Sequence, residues 1–259
     1  MTSGKKARKQ RRTPAPPPVR STGARRASPK VLAAGAAVIA FAGVAAALAF
    51  ALTGGSSSST PTTAAGTLPD AGSAVQLFKG IPQHGNVLGK ANAPVTMVEY
   101  IDLQCPGCRA FETDVMPTII PRYVKAGKVR VIARPIAFIG PDSVRARTAA
   151  LAAARLDFFF DFTQLLYYNQ GSENSGWLDD NLIRSAFASI PGLDAALAER
   201  VRTETAISQE ADRFDSQADA DNVGGTPTVL VGKTGGKLTE VVSPDVANLS
   251  AAIQRALGQ

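Results

Sequence analysis

The sequence predicts an α/β domain that carries an inserted helical subdomain and follows a single N-terminal transmembrane helix. Three observations lead there. An uncharged apolar run lies close to the N-terminus, β-branched strand segments flank the C-terminal two thirds of the chain, and a long helical stretch separates those segments.

Residues 1–30 hold ten of the 28 Lys and Arg and no Asp or Glu. Rich in proline and without apolar periodicity, they read as a disordered basic tail in the cytoplasm. The net charge of +7 belongs to this tail, because acidic residues outnumber basic ones in the remainder. Nucleic-acid binding needs such charge on a folded face or in a recognisable module, and the sequence offers neither.

From Val31 to Leu52 no charge or proline interrupts the chain. About 20 apolar residues cross the hydrocarbon core of a bilayer. The lack of a polar face argues against a buried soluble helix. Residues 31–53 are therefore expected to form a single-pass membrane anchor, with the basic tail inside and the body outside. Ala47-Leu48-Ala49 and Ala49-Phe50-Ala51 also resemble signal-cleavage sites, so secretion after cleavage is the competing outcome. Either way the body reaches an oxidising, extracytoplasmic space. Residues 54–76, rich in Gly, Ser, Thr, Ala and Pro, read as a flexible linker. Residues 77–259 are the folded body.

Within the body, Val95 to Ile101 is β-branched and mostly apolar and predicts a strand. A helix opens at Cys105, since Pro106 suits the first helical position. Pro117 and Pro121 are expected to break or kink it, and Gly127 to close it. Val129 to Ala133 is a second strand. Helical patterns follow at 143–156, 158–168, 177–187 and 193–211, so the insertion occupies about 142–215. Thr228 to Gly232 and Lys237 to Val242 read as strands, and Asp245 to Leu257 as a closing helix. The aromatic run from Phe158 to Tyr168 is chiefly helix core, with a minor share expected to line a hydrophobic groove.

Cys105-Pro106-Gly107-Cys108 contains the only two cysteines. So short a ring removes little entropy from the unfolded chain and makes a poor staple. It makes a good redox couple, because thiolate attack and ring closure are both local. Its place between a strand and a helix favours that use. A zinc site needs about four ligands, and the chain has two Cys and one His, so no metal is expected. The lone His84 reads as structural.

The pattern Ala93-Pro94-Val95-Thr96, Glu99-Tyr100, Cys105-Pro106-Gly107-Cys108 and, beyond the helices, Val223-Gly224-Gly225-Thr226-Pro227-Thr228 resembles the DsbA-like thiol:disulfide oxidoreductases of the thioredoxin superfamily, in their membrane-anchored form. The resemblance covers residues 77–259 and implies a thioredoxin-like fold with a helical insertion. It implies catalysis by Cys105, the exposed attacking thiol, and Cys108, the buried resolving partner. Pro227 matches the family's cis-proline, although spacing alone does not fix the isomer. Thr226 is expected to offer backbone groups to a bound peptide by strand addition. Glu99 matches an acidic position beneath the disulfide, where a buried carboxyl has a raised pKa and can shuttle protons; a solvent-facing strand residue is the other reading.

The resemblance further implies secreted or cell-envelope thiol substrates and a quinone-linked membrane reoxidant of the DsbB or vitamin-K-epoxide-reductase-like type. It implies no metal or organic cofactor. Where strongly oxidising relatives carry histidine before the second cysteine, this chain has Gly107, which implies a milder oxidant. A reductase or isomerase of the same fold, or a non-catalytic peptide-binding ectodomain, are the alternatives.

Overall fold

Strand β3, Val95–Ile101, is buried along its whole length and forms the centre of the molecule. The β-branched and aromatic run that predicted it has apolar groups on both faces, which suits a strand covered on each side. It pairs in parallel with β4, Val129–Pro135, and antiparallel with β5, Thr228–Lys233. Two short strands, β1 (Gln83–His84) and β2 (Val87–Leu88), extend the sheet beyond β4, and β6 (Thr239–Glu240) lies outside β5. The six-stranded order is β1-β2-β4-β3-β5-β6. The fourth strand expected over 237–242 is thus only two residues long.

This computed structural model describes residues 66–259. The basic tail, the apolar run at 31–53 and the first part of the linker lie outside the described residues, among which no helix is long and apolar enough to cross a membrane.

The expected linker is ordered near its end. Residues Ala71–Phe78 form helix α1, whose Ala71, Ala74 and Phe78 are buried. The Phe78 ring sits 5.8 Å from that of Phe160, and the Leu68 N–H donates to Ser189 Oγ at 2.8 Å. Three apolar side chains on one helical stripe give the segment a partner that its Gly, Ser and Ala content conceals.

After β3, helix α2 (Pro106–Ala110) begins with Cys105 as its N-cap and Pro106 in its first turn. The helical run then passes through a π-helical turn at Phe111–Val115, α3 at Met116–Ile119, and a second π-helical turn at Ile120–Val124. The Met116 N–H reaches the Phe111 carbonyl, and the Lys125 N–H reaches the Ile120 carbonyl. Pro117 and Pro121 each remove a donor, and these wider turns keep the run helical instead of ending it. Gly127, with φ of 73°, takes the left-handed conformation that turns the chain into β4.

Five helices separate β4 from β5: α4 (Pro141–Ala154), α5 (Phe159–Tyr168), α6 (Asp180–Ala188), α7 (Ala195–Val201) and α8 (Thr205–Ala220). The alanines of α4 from Ala146 to Ala154 are buried, and their small size lets neighbouring helices approach closely. Arg147 of α4 and Asp215 of α8 are joined at 2.6 Å. Phe159, Phe160, Phe162, Leu165, Leu166 and Tyr167 of α5 are all buried. They form core, and the groove-lining share expected of this aromatic run falls at most to its half-buried ends, Phe158 and Tyr168. Helix α9, Val246–Leu257, closes the fold against β5 and β3.

Candidate active site

Cys105 and Cys108 are free thiols in this structure, the first half-buried and the second fully buried. The end of β3 and the N-terminus of α2 set this difference. Cys105 is the N-cap, where the chain turns out of the sheet, and Cys108 is already on the helical face that packs into the core. The Cys105 thiol donates to the Thr226 carbonyl oxygen at 3.3 Å. The Thr226–Pro227 peptide is cis, and both residues lie directly against the cysteine turn.

Two opposite ionisation tendencies share this turn. Cys105 is lowered from 9.0 to about 5, first by its hydrogen bond with the Cys108 thiol, against the effect of partial burial, with further help from the Thr226 side chain and the backbone N–H groups of Cys108 and Gly107. Cys108 is pushed well up, first by burial and then by the neighbouring Cys105. These surroundings favour the thiolate at the half-buried Cys105 and the protonated thiol at the buried Cys108.

Gly107 sits between the two cysteines and against Pro227. A Cβ at this position would meet Pro227 Cδ at 3.4 Å and Cys105 Sγ at 3.6 Å. The motif's third residue therefore faces both the reactive sulfur and the opposite wall.

Glu99 is fully buried in β3, and burial raises its carboxyl from 4.5 to about 8. Its second oxygen has no hydrogen-bond partner among the described residues. Glu112, from the π-helical turn, is buried beside it and pushed well up by burial and then by the charge of Glu99. Tyr167 of α5 lies close to Cys108, Glu112, Glu99 and Asp102, and is raised first by its own burial and then by their charges. Sequence reasoning singled out Glu99 alone. Glu112, four residues after Cys108 on a helix, occupies the same helical face, and that spacing was the available signal.

Asp102 was also missed. Its fully buried carboxylate accepts from the Gln104 N–H at 2.9 Å, Ser143 Oγ at 2.7 Å, and the Phe138 and Ile139 N–H groups at 2.8 and 2.9 Å. Its own N–H faces Cys108 Sγ at 3.5 Å. Gln170 Nε2 donates to the carbonyl oxygens of Leu103 and Cys105, and Tyr167 Oη donates to that of Asp102. The turn before the cysteines is thereby tied to β4, α4 and α5. His84 is exposed, 3.8 Å from Asp157 and on the β1–β2 hairpin at the far end of the sheet order. No cluster of metal-ligating side chains occurs among the described residues.

A family model, curated relatives and a solved structure resemble this chain over most of the folded body. A family model described as thioredoxin matches residues 83–254. The probable disulfide bond formation protein D of Bacillus cereus is 30% identical over 173 residues, covering 66% of this chain and 77% of that protein. Disulfide bond formation protein D of Bacillus subtilis is 33% identical over 168 residues, covering 62% and 72%. The crystal structure of oxidised BdbD from Bacillus subtilis has a TM-score of 0.60 at 26% identity, covering 69% of this chain and 98% of that one. The two curated relatives are named for disulfide bond formation, and a paired-thiol turn of this geometry suits dithiol–disulfide exchange. The chain belongs to the DsbA-like thiol:disulfide oxidoreductases of the thioredoxin superfamily.

Proposed function

We propose that the protein is a membrane-tethered oxidase that introduces disulfides into secreted or cell-envelope proteins through the Cys105–Cys108 couple. The observation that carries this reading is the placement of the two sulfurs: Cys105 half-buried at the N-terminus of α2 against the Thr226 carbonyl, and Cys108 fully buried behind it.

In the oxidised enzyme a substrate thiolate attacks Cys105 Sγ. The Cys105–Cys108 bond breaks, a substrate–Cys105 bond forms, and the electron pair leaves on Cys108. That sulfur is the poorer thiolate, so it needs a proton as it departs. Glu99, largely protonated at neutral pH, supplies it within the buried pocket shared with Glu112. The substrate's second thiolate then attacks its own mixed-disulfide sulfur and expels Cys105. A low-pKa thiolate is a good leaving group, so this release is fast. The substrate has lost two electrons, which the enzyme holds as the Cys105 thiolate and the Cys108 thiol; of the two protons its thiols released, one restores Glu99 and the other passes to solvent. Thr226 and Pro227 form the opposite wall, where a substrate strand aligns by backbone hydrogen bonds.

A quinone-linked membrane protein of the DsbB or vitamin-K-epoxide-reductase-like type would take the electrons and restore the disulfide. Residues 31–53 hold the body at the outer face of the membrane, which raises its local concentration near that partner and near emerging chains.

Trapping tests this reading. With Cys108→Ala, the mixed disulfide at Cys105 cannot be resolved internally, and cells are expected to accumulate covalent adducts to secreted thiol proteins. Adducts confined to cytoplasmic proteins, or none while Cys105→Ser leaves oxidative refolding unchanged, would refute it.

A further inference from the structure

The loop that carries Thr226 and Pro227 is held by few contacts, and the strongest lies five residues away from Thr226. Helix α8 ends with Asn222 in the left-handed conformation, and the Val223 N–H returns to the Ala218 carbonyl at 2.9 Å. Val223 packs against the edge of the core, and Gly224 and Gly225 follow with open space where a side chain would lie, so these two residues carry no side-chain packing of their own. On the far side, Thr228 Oγ1 donates to the Gly225 carbonyl at 2.8 Å and β5 begins.

The near side is anchored at Asp221. Its carboxylate accepts from Tyr100 Oη at 2.6 Å and from Arg134 at 3.1 Å. Arg134 also donates to Tyr100 Oη, and its guanidinium lies 5.2 Å from the Tyr100 ring centre. In the sheet, Tyr100 stands opposite Arg134 on one neighbour and Thr228 on the other. The phenol is fully buried at the end of β3, next to Glu99 and five residues before Cys105. One charge-assisted cluster therefore joins the strand leading to the cysteines with the helix end leading to Thr226.

We propose that Tyr100, Arg134 and Asp221 are positioning residues that set the Thr226–Pro227 wall at its distance from Cys105 and so determine how tightly a thiol-containing polypeptide is held. The inference rests on the proposed use of that wall for substrate. None of the three touches the reacting sulfurs. Freed at Asp221, the two glycines let the wall drift from the position that receives a peptide backbone, while Cys105, Cys108 and their helix stay in place. Substrate affinity is then the quantity that falls, and the exchange step itself is spared.

The test is single-turnover reduction of the oxidised full chain by a peptide containing two cysteines, measured against peptide concentration. Tyr100→Phe and Asp221→Ala are each expected to raise the half-saturating concentration about tenfold, the equivalent of one charge-assisted hydrogen bond, with the limiting rate within about twofold of the parent. Asp221→Asn keeps an acceptor for the phenol and is expected to recover part of the loss. The double variant should be less than additive, because both changes break one cluster. Lower melting temperatures with an unchanged half-saturating concentration would overturn the inference by reducing the cluster to a structural tie. Pro227→Ala separates the two levels. If it weakens binding while Asp221→Ala does not, only the positioning role fails; if neither weakens binding, the wall is not where substrate sits and both fail.

Discussion

At the scale of single residues, the reactivity comes from two sulfurs of one type placed in different surroundings. Cys105 is lowered to about 5 by the Cys108 thiol, Thr226 and backbone N–H groups, without any imidazole in the motif. Gly107→His would add one where a Cβ makes ordinary contact with Pro227 and Cys105. It is expected to lower the thiolate pKa further and make the couple more oxidising, which a glutathione redox titration measures; an unchanged or lower potential would contradict it. Glu99 gives a pH prediction of definite sign. Its carboxyl goes from 4.5 to about 8, so between those values the unfolded chain ionises while the folded one stays protonated. Stability is greatest below pH 4.5 on this account and is lost as pH rises toward 8. Glu99→Gln is expected to reduce that loss, its melting temperature gaining on the parent's across the window, while it slows exchange by about 10²-fold at neutral pH. Equal melting differences at pH 4.5 and 8 would mean that the carboxyl is ionised in the fold.

At the scale of elements, the turn between β3 and α2 is held from several directions at once, and Asp102 is its hub. Asp102→Ala leaves three backbone N–H groups and a serine hydroxyl without their acceptor. A loss of about 3 kcal/mol is expected in denaturant unfolding, and a loss under about 1 kcal/mol would show that the turn stands without it. Helix α1 makes a similar claim: Phe78→Ala, beneath the Phe160 ring, is expected to cost about 3–5 kcal/mol. These elements also mark how far the sequence could be read. β3, β4, β5 and the helix at Cys105 were legible because β-branched runs and an N1 proline are local signals. The continuation of the helix through Pro117 and Pro121 was not, since the π-helical turns that absorb them depend on packing of Met116, Ile119 and Ile120. Asp102 and Glu112 were invisible for a related reason. A polar residue in a sequence says nothing about burial until its donors, brought from Phe138, Ile139 and Ser143, are assembled around it.

At the scale of the whole molecule, a six-stranded sheet presents the cysteine turn at one end, and a five-helix insertion returns the chain to face it with Thr226 and Pro227. The Arg134–Asp221 and Arg147–Asp215 pairs tie that insertion to β4 and within itself. The proposed anchor adds location and no chemistry. A chain lacking residues 1–53 is expected to match the full chain in oxidative refolding in solution and to fall short of it in cells, and a loss of activity in solution would give those residues a direct role. Titrating the thiolate ultraviolet absorbance of the reduced protein against pH shows whether Cys105 is a thiolate poised for exchange. A midpoint near 5 that disappears in Cys105→Ser is expected. A midpoint near 9, the value of an unperturbed thiol, would contradict it.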